Sequence, residues 1–98
     1  MANAYTPVVK VINQLFGKYG LHYKMRSVRD NSYGRIYKIY YLPFTGKATA
    51  VMSSVAPGDC LASFANFYNG ADRDRVISLY SEFMNIYEYM ILKEFYSD

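Results

Sequence analysis

The stretches LHYKMRSV at residues 21–28 and RIYKIYYL at residues 35–42, joined by RDNSYG at 29–34, decide how this chain folds. Leu21, Tyr23 and Met25 alternate with His22, Lys24 and Arg26, the period-two pattern of a half-buried strand. Residues 35–42 are rich in β-branched and aromatic side chains and predict a second strand. One face of that strand carries Tyr37, Ile39 and Tyr41, and the other carries Ile36, Lys38, Tyr40 and Leu42. The first set is apolar apart from its phenol groups, so it is assigned to the core. Asp30, Asn31, Ser32 and Gly34 supply turn chemistry between the strands.

Working outward, Pro43, Phe44, Thr45 and Gly46 predict a second turn, and residues 48–55 a third strand. Connections this short cannot cross over between parallel strands, so the three form an antiparallel meander. Upstream, Val8, Val11, Ile12, Leu15 and Phe16 recur at spacings of three and four and predict a helix over residues 6–18. Thr6 would cap it, Pro7 would take its first position, and Gly17 or Gly20 would end it. Lys10, Asn13 and Gln14 fall away from the apolar stripe.

Downstream, Asp59 is the expected N-cap of a short helix carrying Leu61, Phe64, Ala65 and Tyr68 and ending at Asn69-Gly70. Asp72 opens a last helix running to about Phe95. Its apolar positions include Val76, Leu79, Tyr80, Phe83, Met84, Ile86, Tyr87, Met90 and Ile91, which leaves a narrow polar stripe. A surface helix normally shows more polar area. This one is therefore either buried by sheet and first helix, or meets another chain through Tyr80, Met84, Tyr87, Met90 and Ile91. The whole reads as one α+β domain over residues 1–98: an N-terminal helix, a three-stranded meander, then a short and a long helix packed on one sheet face.

Charge is unevenly spread. Lys18, Lys24, Arg26, Arg29, Arg35, Lys38 and Lys47 face a single acid in that interval, Asp30, with Tyr19, Tyr23, Tyr33, Tyr37, Tyr40 and Tyr41 interleaved. Residues 1–58 carry 8 Lys and Arg against 1 Asp, net +7; residues 59–98 carry 3 against 7 acids, net −4; the chain is +3. A positive region studded with aromatics predicts a polyanionic partner, either nucleic acid or an acidic protein surface. Lys24, Arg26 and Lys38 would neutralise phosphates from neighbouring strands, and Arg29 and Arg35 would flank the turn and extend the patch. Tyr40, with Tyr33 in the turn, would stack on bases. His22 and Thr49 would complete this sheet face. The competing explanation is a solvated face whose charges discourage edge-to-edge aggregation.

Other chemistries lack their parts. Thr45-Gly46-Lys47 has neither the upstream glycine nor the following helix of a phosphate-binding loop. Cys60 would sit in the first turn of a helix, but the single histidine, His22, is placed on the opposite sheet face, and Asp59 opposes a thiolate. Cys60 is read as a small half-buried residue. One cysteine and one histidine do not make a zinc site, so no metal and no cofactor is expected. Asp72 and Asp74 complement a helix dipole, and Glu82, Glu88 and Glu94 are spaced too widely for one patch. The chain is predicted not to be an enzyme and to take no small-molecule substrate. A lone cysteine, no signal-peptide pattern and no run near ~18 apolar residues predict a cytoplasmic protein without a membrane partner.

Gly34 to Tyr41, running into Thr45-Gly46-Lys47, resembles the second hairpin of three-stranded-sheet DNA readers such as plant AP2-type domains and the arm-binding domains of phage integrases. The likeness spans about fourteen residues and implies a sheet set into a major groove, followed by one helix. The first helix and the long last helix lie outside that pattern, so the resemblance assigns no family. Two functional expectations follow. The first is a binding protein engaging nucleic acid or a nucleoprotein through its basic, tyrosine-bearing sheet face. The second is a protein–protein interaction module, such as a small viral or mobile-element inhibitor of a host protein, homodimeric through the last helix.

Overall fold

The computed structural model describes residues 5–42, 50–68 and 70–96, with side chains described over residues 7–42, 50–68 and 70–89. Helix α1 (Tyr5–Lys18) is followed by strands β1 (Tyr23–Asp30), β2 (Gly34–Tyr41) and β3 (Ala50–Ser54), then by helices α2 (Pro57–Phe67) and α3 (Arg73–Tyr96). This is the predicted α+β order. The predicted turn over residues 43–46, Thr49 and the glycine-lysine pair of residues 46 and 47 lie outside the described residues.

The helix α1 stripe is buried through Val8, Ile12, Leu15 and Phe16. Between the two candidate stop signals, the structure selects Gly20, which adopts φ 65°. The N–H of Leu21 reaches the carbonyl of Phe16 at 2.9 Å and that of Gly20 reaches Gly17 at 3.1 Å, which satisfies two carbonyls of the last turn. Leu21 is then buried, two residues before β1 begins.

The sheet has the order β1-β2-β3, with both pairings antiparallel. Met25 pairs with Ile39, Arg26 with Lys38, and Lys24 with Tyr40. Cross-strand partners share a face, so a single register fixes both surfaces of the sheet. Met25, Tyr37 and Ile39 enter one core cluster with Ile12, Phe16, Cys60, Leu61, Phe64, Val76, Leu79 and Phe83. Each such side chain contributes roughly 1.5–3 kcal/mol by leaving water. Helix α1 lies on β1, α2 lies on β2 and β3, and α3 packs on α1 and α2. All three helices therefore occupy one side of the sheet.

Four local assignments differ from the sequence reading. Helix α1 begins at Tyr5, so Thr6 lies inside the helix and not at its cap, and Pro7 is not its first residue. Helix α2 begins at Pro57 with Ala56 as N-cap, so Asp59 lies in the first turn, where it complements the dipole without capping. Tyr41, assigned to the core side of its strand, is 57% exposed, with its ring against that of Tyr23. Asn13, assigned to the polar side of α1, instead faces β1. Its amide nitrogen donates to the carbonyl of Met25 at 3.0 Å, and its oxygen accepts from the N–H of Met25 at 2.7 Å. β1 is an edge strand, and Asn13 supplies at this residue the two hydrogen bonds a further strand would make.

Helix α3 is fastened to the end of α1 by polar contacts. The Lys18 ammonium and the Tyr19 hydroxyl both donate to the Glu82 carboxylate, at 2.8 and 2.7 Å. Arg75 donates to the Tyr19 carbonyl and to Asp72. A cation at the carbonyl end of α1 also complements its dipole.

Candidate functional site

The face of the sheet opposite the helices carries Lys24, Arg26 and Lys38 together with Tyr40, whereas His22, expected beside them, precedes the ladder, which begins at Tyr23. His22, Lys24 and Arg26 are exposed, while Lys38 and Tyr40 are half-buried. The register sets Lys24 beside Tyr40 and Arg26 beside Lys38 as directly opposed pairs. Side chains so opposed stand about 5 Å apart at Cβ. Like charges in that position repel, so Arg26 beside Lys38 concentrates positive potential at the middle of the face. Ser53, opposite Lys38 on β3, adds a hydroxyl to the same surface.

Arg29 and Arg35, expected to extend this patch, do not join it. β1 runs on to Asp30 and β2 starts at Gly34, so both arginines fall inside the ladder as a directly opposed pair. They lie two residues from the Ser27–Tyr37 pair, and Tyr37 is buried on the helix side. Alternation therefore places Arg29 and Arg35 on the helix-side face, beyond the helices, where both are exposed. The Arg35 guanidinium donates to Ser27 Oγ at 2.7 Å, consistent with that side. Tyr33 is 71% exposed at the tip of the turn. The signal was present in the sequence: continuing the alternation from Met25 through Ser27 reaches Arg29, and from Ile39 through Tyr37 reaches Arg35.

The interleaved tyrosines also separate. Tyr37 is core, Tyr19 is tied to Glu82, and Tyr23 joins an aromatic cluster with Phe16, Phe64, Tyr68 and Tyr41. Burial pushes the Tyr23 hydroxyl up to about 12, so it stays protonated at neutral pH. Tyr40 is half-buried on the helix-free face, and Tyr33 is exposed in the turn. Lys18, counted among the basic residues, is ion-paired with Glu82.

On α3, Tyr80 and Tyr87 pack against the core cluster, and Tyr87 stacks on Phe83 with centroids 5.4 Å apart. Met84 is exposed on the outer side of the helix, and the side chains of Met90 and Ile91 lie outside the described residues. A separate apolar corner went unread in the sequence. Val51, Met52, Phe64, Phe67, Tyr68 and Tyr23 line a hollow of about 180 Å³ between β3 and α2, with Phe67 73% exposed.

Cys60 is fully buried, its thiol donating to the Tyr37 carbonyl, and burial pushes it up to about 12, out of reach of thiolate chemistry at neutral pH. Among the described residues no group of three or more His, Cys, Asp or Glu could hold a metal ion. No helix among them is long and apolar enough to cross a membrane. The chain matches no protein-family model, no curated protein and no solved structure.

Proposed function

We propose that this is a non-enzymatic binding protein that engages nucleic acid, alone or in a nucleoprotein, through its helix-free sheet face. The observation that carries the reading is the register. It brings Lys24, Arg26 and Lys38 from two strands to one surface and sets Tyr40 among them. Cations at this spacing neutralise backbone phosphates, and a tyrosine ring at their level offers a stacking plane with no preference among bases. The setting that fits this partner and a reduced Cys60 is the cytoplasm.

The test is fluorescence anisotropy against labelled single- and double-stranded DNA and RNA at ~50 and ~200 mM salt. Binding that weakens with salt and is lost in the Lys24→Glu/Arg26→Glu/Lys38→Glu variant is the expected outcome. Absence of binding to every probe at the lower salt concentration overturns the reading.

One observation favours a second reading, a protein–protein module. Phe67 and Val51 are large, apolar and exposed at the hollow between β3 and α2, and Phe67 is the kind of aromatic anchor that protein interfaces use. In that case binding hinges on Phe67, depends weakly on salt and survives the triple charge reversal. Self-association through the outer side of α3 around Met84 belongs to this second reading and is measured by light scattering.

A further inference from the structure

Helix α3 carries two stripes, and one of them meets the body of the protein. Val76, Leu79 and Phe83 face the core and are fully buried. The charges on the flank toward α1 are satisfied as well: Glu82 accepts from Lys18 and Tyr19, and Arg75 donates to Asp72 and to the Tyr19 carbonyl. On the remaining side Arg73, Ile77, Tyr80, Ser81, Met84 and Glu88 recur at spacings of three and four and form a second stripe. It runs roughly 22 Å along the helix. Ile77 is 42% exposed and Met84 39%, Arg73, Ser81 and Glu88 are exposed, and Tyr80 is half-buried at the margin. Among the described residues no ion pair holds Arg73 or Glu88.

Read end for end, this stripe is its own complement. It opens on a cation and closes on an anion, and four positions in from each end stands an apolar residue, Ile77 or Met84. A second copy turned about a two-fold axis beside Tyr80 and Ser81 therefore brings Ile77 against Met84 and Arg73 against Glu88, each contact made twice. The same rotation lays the ring of Tyr80 over the small Ser81 of the other copy. A parallel pair would instead set Arg73 against Arg73 and Glu88 against Glu88, so charge selects the antiparallel one. Asp74, next in the chain, stands about 100° further round the helix and off the stripe.

Resting on the protein–protein reading and its self-association through α3, we propose that two copies of this chain form a two-fold dimer. Their α3 helices pair antiparallel through Ile77 and Met84, with Arg73 and Glu88 closing each end. A second copy is the occupant because this chain already presents the order of charge and apolar surface that the stripe requires. Contact over about four helical turns lies at the small end of specific interfaces, so a dissociation constant of ~10–100 µM is expected. Helix α3 packs on α1 and α2, on the covered side of the sheet, so the pairing leaves the helix-free face of each protomer open. The dimer presents two basic faces.

The experiment is sedimentation equilibrium of the full chain across that concentration range, without nucleic acid, with circular dichroism to check that each variant keeps its helix content. Met84→Glu sets a carboxylate against Ile77 at both contacts and is expected to raise the dissociation constant roughly 100-fold. Arg73→Glu and Glu88→Arg each place like charges at both ends and are expected to raise it about tenfold. Arg73→Glu/Glu88→Arg restores the pairs in exchanged order and is expected to return within about threefold of the unaltered chain. A parallel pair has like charges at both ends in every one of these chains and would show neither the loss nor the rescue. A double reversal as weak as the single ones, or single reversals without effect, overturns the antiparallel arrangement. A chain that stays monomeric throughout overturns self-association altogether. Dimerisation kept in Met84→Glu and lost in Phe67→Ala overturns the α3 pairing while the protein–protein reading stands, with its interface at the hollow between β3 and α2.

Discussion

The two faces of the sheet are spelled by the same residues in alternation and behave as different materials. On β2, Tyr37 and Ile39 are 1% and 0% exposed, while Lys38 between them points away from the helices and stands beside Arg26. On β1, Met25 is buried between Lys24 and Arg26, which are exposed. Such a sheet places cations within one residue of the core without burying any, because the pleat sends successive side chains to opposite sides. The cost is sensitivity to register, since a shift of one residue would drive Lys38 inward and Tyr37 out. The covered face therefore holds the charged face in place, and changes on the two sides are expected to separate cleanly into stability and binding.

The sharpest break of that comparison uses adjacent residues. Ile39→Ala removes a fully buried side chain from the centre of the core and is expected to cost about 2–5 kcal/mol, a large share of what holds a small domain together. Lys38→Ala, one residue away, is expected to change stability by no more than about 0.5 kcal/mol while weakening nucleic-acid binding. Urea denaturation beside anisotropy measures both. A Lys38→Ala variant as unstable as Ile39→Ala would mean that the two faces are not independent.

Next in size is the edge. Asn13→Ala leaves the N–H and C=O of Met25 without their partners beside a buried side chain, an expected loss of about 1–3 kcal/mol. Asn13→Asp keeps the acceptor and loses the donor, so it is expected to fall between alanine and the unaltered chain in urea midpoint. Equal midpoints for all three would show that water replaces the amide at no cost.

The helix-side end of the hairpin is expected to respond in the opposite direction. Arg29→Ala relieves the directly opposed Arg29–Arg35 pair and is expected to raise stability by about 0.2–1 kcal/mol. The same change on the helix-free face, Arg26→Ala, relieves the Arg26–Lys38 pair by a similar route but removes a residue of the proposed binding surface. A thermal midpoint that falls on Arg29→Ala would reveal a structural role for that guanidinium.

What the sequence disclosed follows the range of the forces involved. Alternation and helical spacing are local signals. They located the elements, the meander, and the placement of Lys24, Arg26, Lys38 and Tyr40 opposite the core. The assignment failed where an element's end decided the outcome. Placing Arg29 and Arg35 in the turn, and not in the ladder, hid the fact that they pair and lie on the other face. Tyr41 shows the complementary limit: its ring packs against that of Tyr23, its partner in the ladder, and yet the residue is 57% exposed. Contacts between distant segments leave no local pattern. Asn13 against Met25 and Glu82 against Lys18 and Tyr19 join residues far apart in the chain, and each looked like an ordinary surface polar residue.

That last contact gives the smallest effect and the most specific signature. Hydrogen bonds from Lys18 and Tyr19 hold the Glu82 carboxyl below its ordinary 4.5, and the same carboxylate holds Lys18 above its ordinary 10.5. The unfolded chain takes up the Glu82 proton at a higher pH than the folded one. The contribution is therefore full above about 4.5 and is lost as pH falls through the depressed folded value. The Lys18 contribution is full below 10.5 and is lost as pH rises through the raised folded value. Glu82→Gln removes both, so the gap in thermal midpoint between the unaltered chain and this variant is expected to be flat from pH ~6 to ~9 and to close toward acid. The pair is solvent-accessible, so the gap is small and shrinks further with salt. A gap that widens as the solution is acidified would mean that Glu82 is held by something other than these two donors.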